Sequence, residues 1–341
     1  MSDDHNNQLR LAFVGCGNIA RAHWYGVRHR AQHIRVTAVV DSDAERAAAM
    51  AERTGARAFT SLAEALDADL FDAVDVLLPH DLHESVTLQA LAAGKHVLLE
   101  KPMAPTLEAC ERMLLAAARA GRVFMIAEQS QYWPDVHVVK ALLQRNAIGD
   151  LLSVRGHFVD STPIVTDLTL PWRFLHARAG GGIAMDGGAH WVRPLRIWLG
   201  EVESVYAVTR RPVAAMEDES FALALLNFRC GITASFECLL SNAALAPVQD
   251  FRLTGSSGEI VVERGEAGRV LLYDADHPNG VEVARTMPGR KMAFGDELDD
   301  FARAVRDGVP PAATAEYSLG DLRTALAMYR SAASGRVEPV W

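Results

Sequence analysis

Residues 9–20 read Leu9-Arg10-Leu11-Ala12-Phe13-Val14-Gly15-Cys16-Gly17-Asn18-Ile19-Ala20. An apolar run passes without a break into G-x-G-x-x-A. Between a strand and a helix this is the fingerprint of a dinucleotide-binding loop. Gly15 permits the tight turn, Gly17 lets a pyrophosphate approach the backbone, and the small Ala20 lets the helix lie close to the strand. The helix opening at Asn18 and Ile19 would aim unpaired N–H groups, with those of the loop at Cys16, toward phosphate oxygens. A second apolar run, Ile34–Val40, ends in Asp41. It falls roughly 20 residues beyond the loop, where a carboxylate accepts from the adenosine ribose hydroxyls. That carboxylate repels a 2′-phosphate, and neither Ser42 nor Asp43 adds positive charge, so the expected cofactor is NAD rather than NADP. The competing reading is an ordinary glycine turn with Asp41 as a helix cap.

The alternation continues outward from this loop. Apolar runs at Ala73–Leu78, His96–Leu99 and Val123–Ile126 alternate with Ala-rich helical stretches at Asp43–Thr54, Leu62–Leu66, Glu84–Ala93 and Leu107–Ala120. Strands that alternate with helices build βαβ units and a parallel sheet covered on both faces, and unbroken apolar strands suit that burial. Past residue 130 the pattern changes. One helix, Pro134–Arg145, leads into β-like runs at Leu151–Val159, Val202–Thr209, Ser220–Phe228, Ile232–Cys238, Gln249–Thr254, Glu259–Glu263 and Arg269–Tyr273. Helices at Asp296–Arg306 and Leu319–Ser334 close the chain. The expected fold class is α/β: an N-terminal Rossmann domain (1–128) and a C-terminal α+β domain (129–341) with a large, mostly antiparallel open sheet. One face of such a sheet needs covering, and a second subunit could supply that cover.

The chain has 341 residues, enough for about two domains, and 50% of them are hydrophobic. Its net charge is −9, from 34 basic and 43 acidic residues, which disfavours nucleic acid and anionic lipid as partners. Met1–Gln8 is polar and acidic, unlike a signal peptide, and no apolar run reaches the ~18 residues of a membrane helix. Cys16, Cys110, Cys230 and Cys238 form no C-x-x-C pair and read as free thiols of a reducing, cytoplasmic compartment. The run His80-Asp81-Leu82-His83-Glu84 superficially resembles a metal motif, but it follows a strand instead of lying within a helix, so no metal is expected.

Two stretches carry candidate chemistry. Leu98-Leu99-Glu100-Lys101-Pro102 ends a strand of the parallel sheet, and ligands of such sheets bind at the carboxyl ends of strands. There Lys101 can hold a substrate hydroxyl and lower its pKa. Glu100 would pair with Lys101 or a ribose, and a cis bond at Pro102 would fix the lysine's direction. The alternative is a surface Glu-Lys pair. The second stretch is Gly180-Gly181-Gly182-Ile183-Ala184-Met185-Asp186-Gly187-Gly188-Ala189-His190. Asp186 and His190, four apart, share a face if the stretch is helical. The carboxylate could then orient an imidazole that accepts the proton leaving an alcohol. The glycines would allow close approach to a flat ligand. The alternative here is a structural histidine at a loop.

Together, the GCGNIA loop, Asp41, the EKP tripeptide at 100–102, the GGG-x3-D-x3-H stretch and the strand-rich second half resemble the Gfo/Idh/MocA oxidoreductases over nearly the whole chain. The resemblance implies that Lys101, Asp186 and His190 form a catalytic set. It also implies a hydroxylated small-molecule substrate and a C-terminal sheet that serves as substrate wall and oligomer surface, giving a homodimer or homotetramer. The expected reaction moves hydride between NAD and a secondary hydroxyl of a sugar, cyclitol or related polyol. Oxidation of a trans-dihydrodiol, or a non-catalytic NAD-binding regulator, are the alternatives. Two departures stand out. Arg193 occupies a position often acidic in inositol dehydrogenase-like members, where it could form an ion pair or read substrate. His80 stands where relatives often have Asn, in a turn (Leu78, Pro79, His80, His83) expected over the nicotinamide side of the cofactor. Gln129 is a further cofactor candidate. Tyr132, Trp133, Trp172 and Arg173 are substrate candidates, with a packed core as the competing reading for the aromatics.

Overall fold

The computed structural model describes residues 8–161, 170–243, 248–264, 268–286 and 289–341. The chain divides into two compact units: one runs to Gln129 and includes Lys291–Leu319, and the other comprises Ser130–Arg290 with Gly320–Trp341.

In the first unit, β1 (Leu9–Val14), β2 (Ile34–Val40), β3 (Arg57–Phe59), β4 (Ala73–Val76), β5 (His96–Glu100) and β6 (Phe124–Ala127) form one sheet in the order β3-β2-β1-β4-β5-β6. Every pairing is parallel. β4 and β6 are buried along their full length, as strands with helices on both faces must be. The connecting helices are α1 (Asn18–His29), α2 (Ala44–Thr54), α3 (Leu62–Asp67), α4 (His83–Ala92) and α5 (Leu107–Ala120). Their ends follow local chemistry. Asp43 accepts the Glu45 and Arg46 N–H groups at the start of α2, and Thr106 accepts the Ala109 N–H at the start of α5. Strand order reverses between β1 and β4, the switch point where sheets of this topology bind ligands.

The second unit contains α6 (Pro134–Gln144), β7 (Leu151–Asp160), α7 (His176–Ala179), α8 (Ala189–Leu199), β8 (Val202–Arg210), β9 (Phe221–Phe228), β10 (Thr233–Leu240), β11 (Gln249–Gly255), β12 (Glu259–Glu263), β13 (Arg269–Tyr273), β14 (Val281–Arg285) and, near the C-terminus, β15 (Glu338–Pro339). The nine strands order as β14-β13-β12-β11-β7-β10-β9-β8-β15. All pair antiparallel except β7 with β10. Burial alternates along β8, β9 and β10, so the sheet has one packed and one open face. Helix α8 contributes to the cover: Trp191 lies 4.2 Å from the Phe158 ring and Trp198 4.9 Å from the Phe251 ring. Gly156 leaves room for Leu195, since a Cβ there would meet Leu195 Cδ1 at 3.3 Å.

One boundary differs from the sequence expectation of a single division near residue 129. Most of α9 (Gly289–Asp307) and the start of α10 (Ala315–Ser334) belong to the first unit. The physical reason is visible along α9. Arg30 Nε bonds Asp296 at 2.6 Å, the backbone N–H groups of Gln32 and His33 donate to Asp299, and Phe294 lies against His23. Beyond α9, Ile126 N–H donates to Ala313 and Met125 bridges Thr314 at the edge of β6. The crossing of α1 and α9 depends on two small residues: a Cβ on Gly26 would lie 2.6 Å from the Gly295 nitrogen. The Gly26→Ala substitution should therefore cost about 1–3 kcal/mol by overpacking. A lowered thermal midpoint with unchanged far-ultraviolet circular dichroism is the expected result.

Candidate active site

In the first unit, register brings the relevant loops to one edge. Val14 pairs with Val40 and with Val76, and Val76 with Leu99. The segments after these four strands carry Gly15–Gly17, Asp41, Pro79 and Lys101. Gly15 has φ 103°, and a Cβ there would meet the Leu77 carbonyl oxygen at 2.3 Å, so only glycine fits. Gly17 differs: it caps α1, and nothing lies within 4 Å of the Cβ it lacks. The protein does not need that space, and a ligand backbone or phosphate could use it. Ala20 is fully buried on the strand side. Asn18 and Ile19 open α1. These features fit a bound dinucleotide.

Asp41 is nearly buried. Its carboxylate accepts the Cys16 N–H and the Asp43 N–H, both at 2.9 Å, which ties the ribose end of β2 to the glycine loop. Ser42 lies between. Neither Ser42 nor Asp43 brings positive charge, but Arg46 does, with Nε 3.6 Å from Asp41 and 3.1 Å from Asp43. The guanidinium comes from the first turn of α2, which reading only the adjacent residues overlooked. Burial, with Asp41 beside it, pushes the Cys16 thiol up to about 12, so Cys16 contributes its backbone and no reactive thiolate. All four cysteines are free.

After β4, Leu78 and Pro79 are partly exposed, whereas His80 opens a short 3-10 turn and is buried. His83 is fully buried, with its ring nitrogens 3.0 Å from the Pro102 carbonyl and 2.9 Å from the Leu78 carbonyl. Burial lowers its pKa. Both ring nitrogens face the chain, so His83 clamps two loops together and is not free to contact a cofactor. Glu100 is also buried: one carboxylate oxygen accepts the Lys101 N–H at 2.9 Å and the other faces His23 Nε2 at 3.2 Å. The Lys101–Pro102 peptide is cis. Gln129 starts a 3-10 turn and is half-buried.

In the second unit, the glycine-rich stretch is not the helix that the Asp186–His190 spacing implied. Residues 183–188 form successive turns, and α8 begins at Ala189. Asp186 is therefore a turn residue and His190 lies in the first turn of α8, both half-buried. Asp186 accepts from Arg173 Nε at 2.9 Å, and that guanidinium lies 4.3 Å over the Trp172 ring. Trp133 takes the packing role. It is buried, with Arg290 4.0 Å over its ring, Trp191 edge-on at 5.4 Å and His190 at 6.1 Å. Tyr132 is half-buried beside it in sequence. Arg193 resolves to an ion pair: fully buried, it bonds Asp321 through Nε at 2.8 Å and Gln131 at 3.1 Å, while Arg196 holds the other Asp321 oxygen at 2.6 Å.

The triple glycine also has a reason inside the chain. A Cβ on Gly182 would lie 2.5 Å from a Glu219 carboxylate oxygen, and one on Gly181 2.6 Å from the Tyr329 hydroxyl. Glu219 accepts the N–H groups of Gly182 and Ala184 at 3.1 and 3.0 Å and the Tyr329 hydroxyl at 2.9 Å. It thus holds the turn leading to Asp186 and His190. Sequence reasoning missed Glu219 because it comes from the start of β9's hairpin, far along the chain.

Residues 9–128 match the sequence profile of an oxidoreductase family with an NAD-binding Rossmann fold, Gfo/Idh/MocA, and residues 136–261 match the Gfo/Idh/MocA C-terminal domain. A 1,5-anhydro-D-fructose reductase of Ensifer adhaerens is 28% identical, over 97% of this chain and 98% of its own. A levoglucosan dehydrogenase of Pseudarthrobacter phenanthrenivorans is 32% identical, over 79% and 80%. Among solved structures, the WlbA dehydrogenase of Bordetella pertussis in complex with NADH and UDP-GlcNAcA is similar with a TM-score of 0.86 at 25% identity, over 98% of each chain.

Burial raises Glu219 from 4.5 to about 6, against the pull of its hydrogen bonds from Ala184 and Tyr329. A carboxyl that ionises harder when folded leaves the folded state binding more protons between those values. Its favourable contribution is complete below 4.5 and is lost as pH rises through 6. In paired urea titrations, the stability of the Glu219→Gln variant relative to wild type should therefore improve from pH 4.5 to above 6.

Proposed function

Because the chain belongs to the Gfo/Idh/MocA family of NAD-binding oxidoreductases, we propose that it transfers hydride between NAD and a secondary hydroxyl of a sugar, cyclitol or related polyol. The observation that carries this reading is the single strand edge bearing the open Gly17 loop, Asp41 and Lys101. The names of the two relatives, both sugar oxidoreductases, direct the substrate class. When bound, NAD supplies the two-electron acceptor for the carbinol carbon, chemistry that belongs to the cofactor. The protein's part is to bind, orient and move the proton. The glycine loop takes the pyrophosphate, Asp41 the adenosine ribose, and Leu78, Pro79, His80, Pro102 and Gln129 flank the nicotinamide half. Lys101 holds and polarises the substrate hydroxyl, and His190 accepts its proton. Asp186, bridged to Arg173, supports His190 and, with Trp172 and Tyr132, meets the ring hydroxyls. The free thiols agree with a cytoplasmic setting.

The substrate is read out by reduced-nicotinamide absorbance with NAD, and NADP in parallel, against aldoses, anhydrosugars, glycosides and cyclitols. Turnover of at least one ring alcohol with NAD is expected; tight NAD binding with no turnover across the panel would move the assignment to the regulator class. On the active substrate, Lys101→Ala and His190→Ala should each lower kcat by about 10²–10⁴-fold. Full turnover in both variants would remove them from the catalytic set.

The open face of the nine-stranded sheet presents Tyr206 and Val208 of β8 and Leu223 and Leu225 of β9, the last two 41% and 48% exposed. We propose that a second copy of the chain covers this face, since a row of apolar side chains on adjacent strands is costly to leave in water. Light scattering should report a dimer or tetramer, and the Leu223→Asp/Leu225→Asp variant should shift it to monomer. A monomeric wild type would refute the interface.

A further inference from the structure

Behind Lys101 the first unit buries a cluster of ionisable groups that the proposed chemistry does not use. His23, in the second turn of α1, is fully buried, and each of its ring nitrogens faces a carboxylate oxygen: Nδ1 lies 2.7 Å from Asp75 of β4 and Nε2 lies 3.2 Å from Glu100 of β5. An imidazole donates from both nitrogens only when it is protonated. Burial alone would lower its pKa, but the Asp75 and Glu100 carboxylates outweigh burial and raise it well above the ordinary value. Other groups face the same cluster. Glu297 of α9 is fully buried, and neither of its carboxyl oxygens has a hydrogen-bond partner among the described residues. Desolvation, reinforced by Glu100 and Asp75 against the pull of His23, pushes its carboxyl well above the usual carboxylate range. Glu128, buried after β6, adds a further carboxyl to the same field. The Phe294 ring closes the side of His23 at 5.2 Å.

The second oxygen of Glu100 accepts the N–H of Lys101. A continuous chain therefore runs from Asp75 through His23 and Glu100 to the backbone of Lys101. Its anchor sits on the helix whose N-terminus opens beside Gly17, so one helix ties the phosphate end of the cofactor loop to the strand end bearing the lysine.

We propose that His23 is a positioning residue for the reaction: its imidazolium, held by Asp75, fixes Glu100, and Glu100 fixes the direction in which Lys101 leaves β5. The inference rests on the reading that Lys101 acts on the substrate hydroxyl. A buried charge with two partners is well suited to this task, because removing one partner strands the other and the geometry is therefore stiff. Displacement of a catalytic group by about 1 Å costs about 10²-fold in rate.

Two variants separate positioning from simple structural support. His23→Gln removes the charge and one of the two donors. His23→Leu/Asp75→Leu replaces the pair with apolar side chains of similar size, which tends to preserve stability, yet cuts the link to Glu100. With the sugar identified in the panel, both variants should lose about 10- to 100-fold in kcat, with KM and the dissociation constant for NADH, measured by its fluorescence, nearly unchanged. The double variant should stay folded with a thermal midpoint lowered by the loss of Glu100's partner, but higher than that of His23→Leu alone, which strands both carboxylates. Wild-type kcat in the folded double variant would overturn the proposal, and so would loss of rate that merely tracks loss of NADH affinity. Lys101→Ala is run alongside. If it is inactive while the double variant is fully active, His23 alone is misassigned; if it is fully active, the role of Lys101 itself falls. Side-chain 15N shifts of His23 in the wild-type protein test the premise without any variant: both ring nitrogens should be protonated above neutral pH, and a single neutral tautomer would overturn the proposal.

Discussion

At position 15 a side chain would collide with the carbonyl oxygen of Leu77, the first residue after β4. That contact is the constraint on which the first unit depends. Parallel strands β1 and β4 sit side by side at the point where strand order reverses, and their outgoing chains must part within a residue or two. Gly15 turns one way at a φ closed to other residues. The turn after Leu77 goes the other, and the space between them opens at Gly17. Asp41 reaches in from β2 to take the Cys16 N–H, so the loop is held from both sides before any ligand arrives. The open space at Gly17, proposed above for the pyrophosphate, is thus largely a by-product of strand order, with one glycine making the order sterically possible.

The parts of the fold legible in the sequence were those whose strands are apolar throughout or follow one another without helices. β1 and β2 begin and end where their apolar runs do, because strands buried on both faces have no other composition available. The sheet of the second unit was legible from consecutive strand-like runs with no helix between them. β3, β14 and β15 escaped because they are short or largely exposed, and edge strands make few demands on side chains. The return of α9 to the first unit is a long-range packing choice, set by Gly26 against Gly295 and by Arg30 and Asp299. No local periodicity records it.

The site divides in the same way. The glycine loop and Asp41 could be found from spacing, since their chemistry is backbone geometry written into adjacent residues. The Asp186 to His190 interval was misleading about structure: a separation of four places two residues on one face of a helix, but the glycines between them cost too much helix stability, and α8 waits until Ala189. Earlier in the same stretch, Gly181 and Gly182 accommodate Tyr329 and Glu219, residues from distant segments, so their purpose could not be read from the stretch itself. Arg193 illustrates the converse. Its departure from the family pattern left an ion pair and a substrate contact both open, and the long-range pairing with Asp321, with Gln131 beside it, selects the ion pair.

Each unit buries ionisable groups next to its own candidate residues. Arg193 lies one turn beyond His190 on α8, Glu219 lies under the turn carrying Asp186, and His23 lies behind Glu100 and Lys101. A buried ion pair adds little net stability over a well-packed apolar pair of the same shape, because desolvation offsets most of the attraction. Stability alone therefore does not account for burying the ion pairs of Arg193 and His23, or the hydrogen-bonded carboxyl of Glu219, where apolar side chains would serve. Direction does account for it: a charge that must meet fixed partners in a low-dielectric interior tolerates little displacement, whereas an apolar contact slides. Each group holds a backbone segment next to a candidate residue: Arg193 on the helix of His190, Glu219 at the turn before Asp186, and His23, through Glu100, at Lys101. On the proposed reading of the site, rigidity is concentrated one residue behind the candidate groups, which leaves those that would face a ligand free to differ with the substrate.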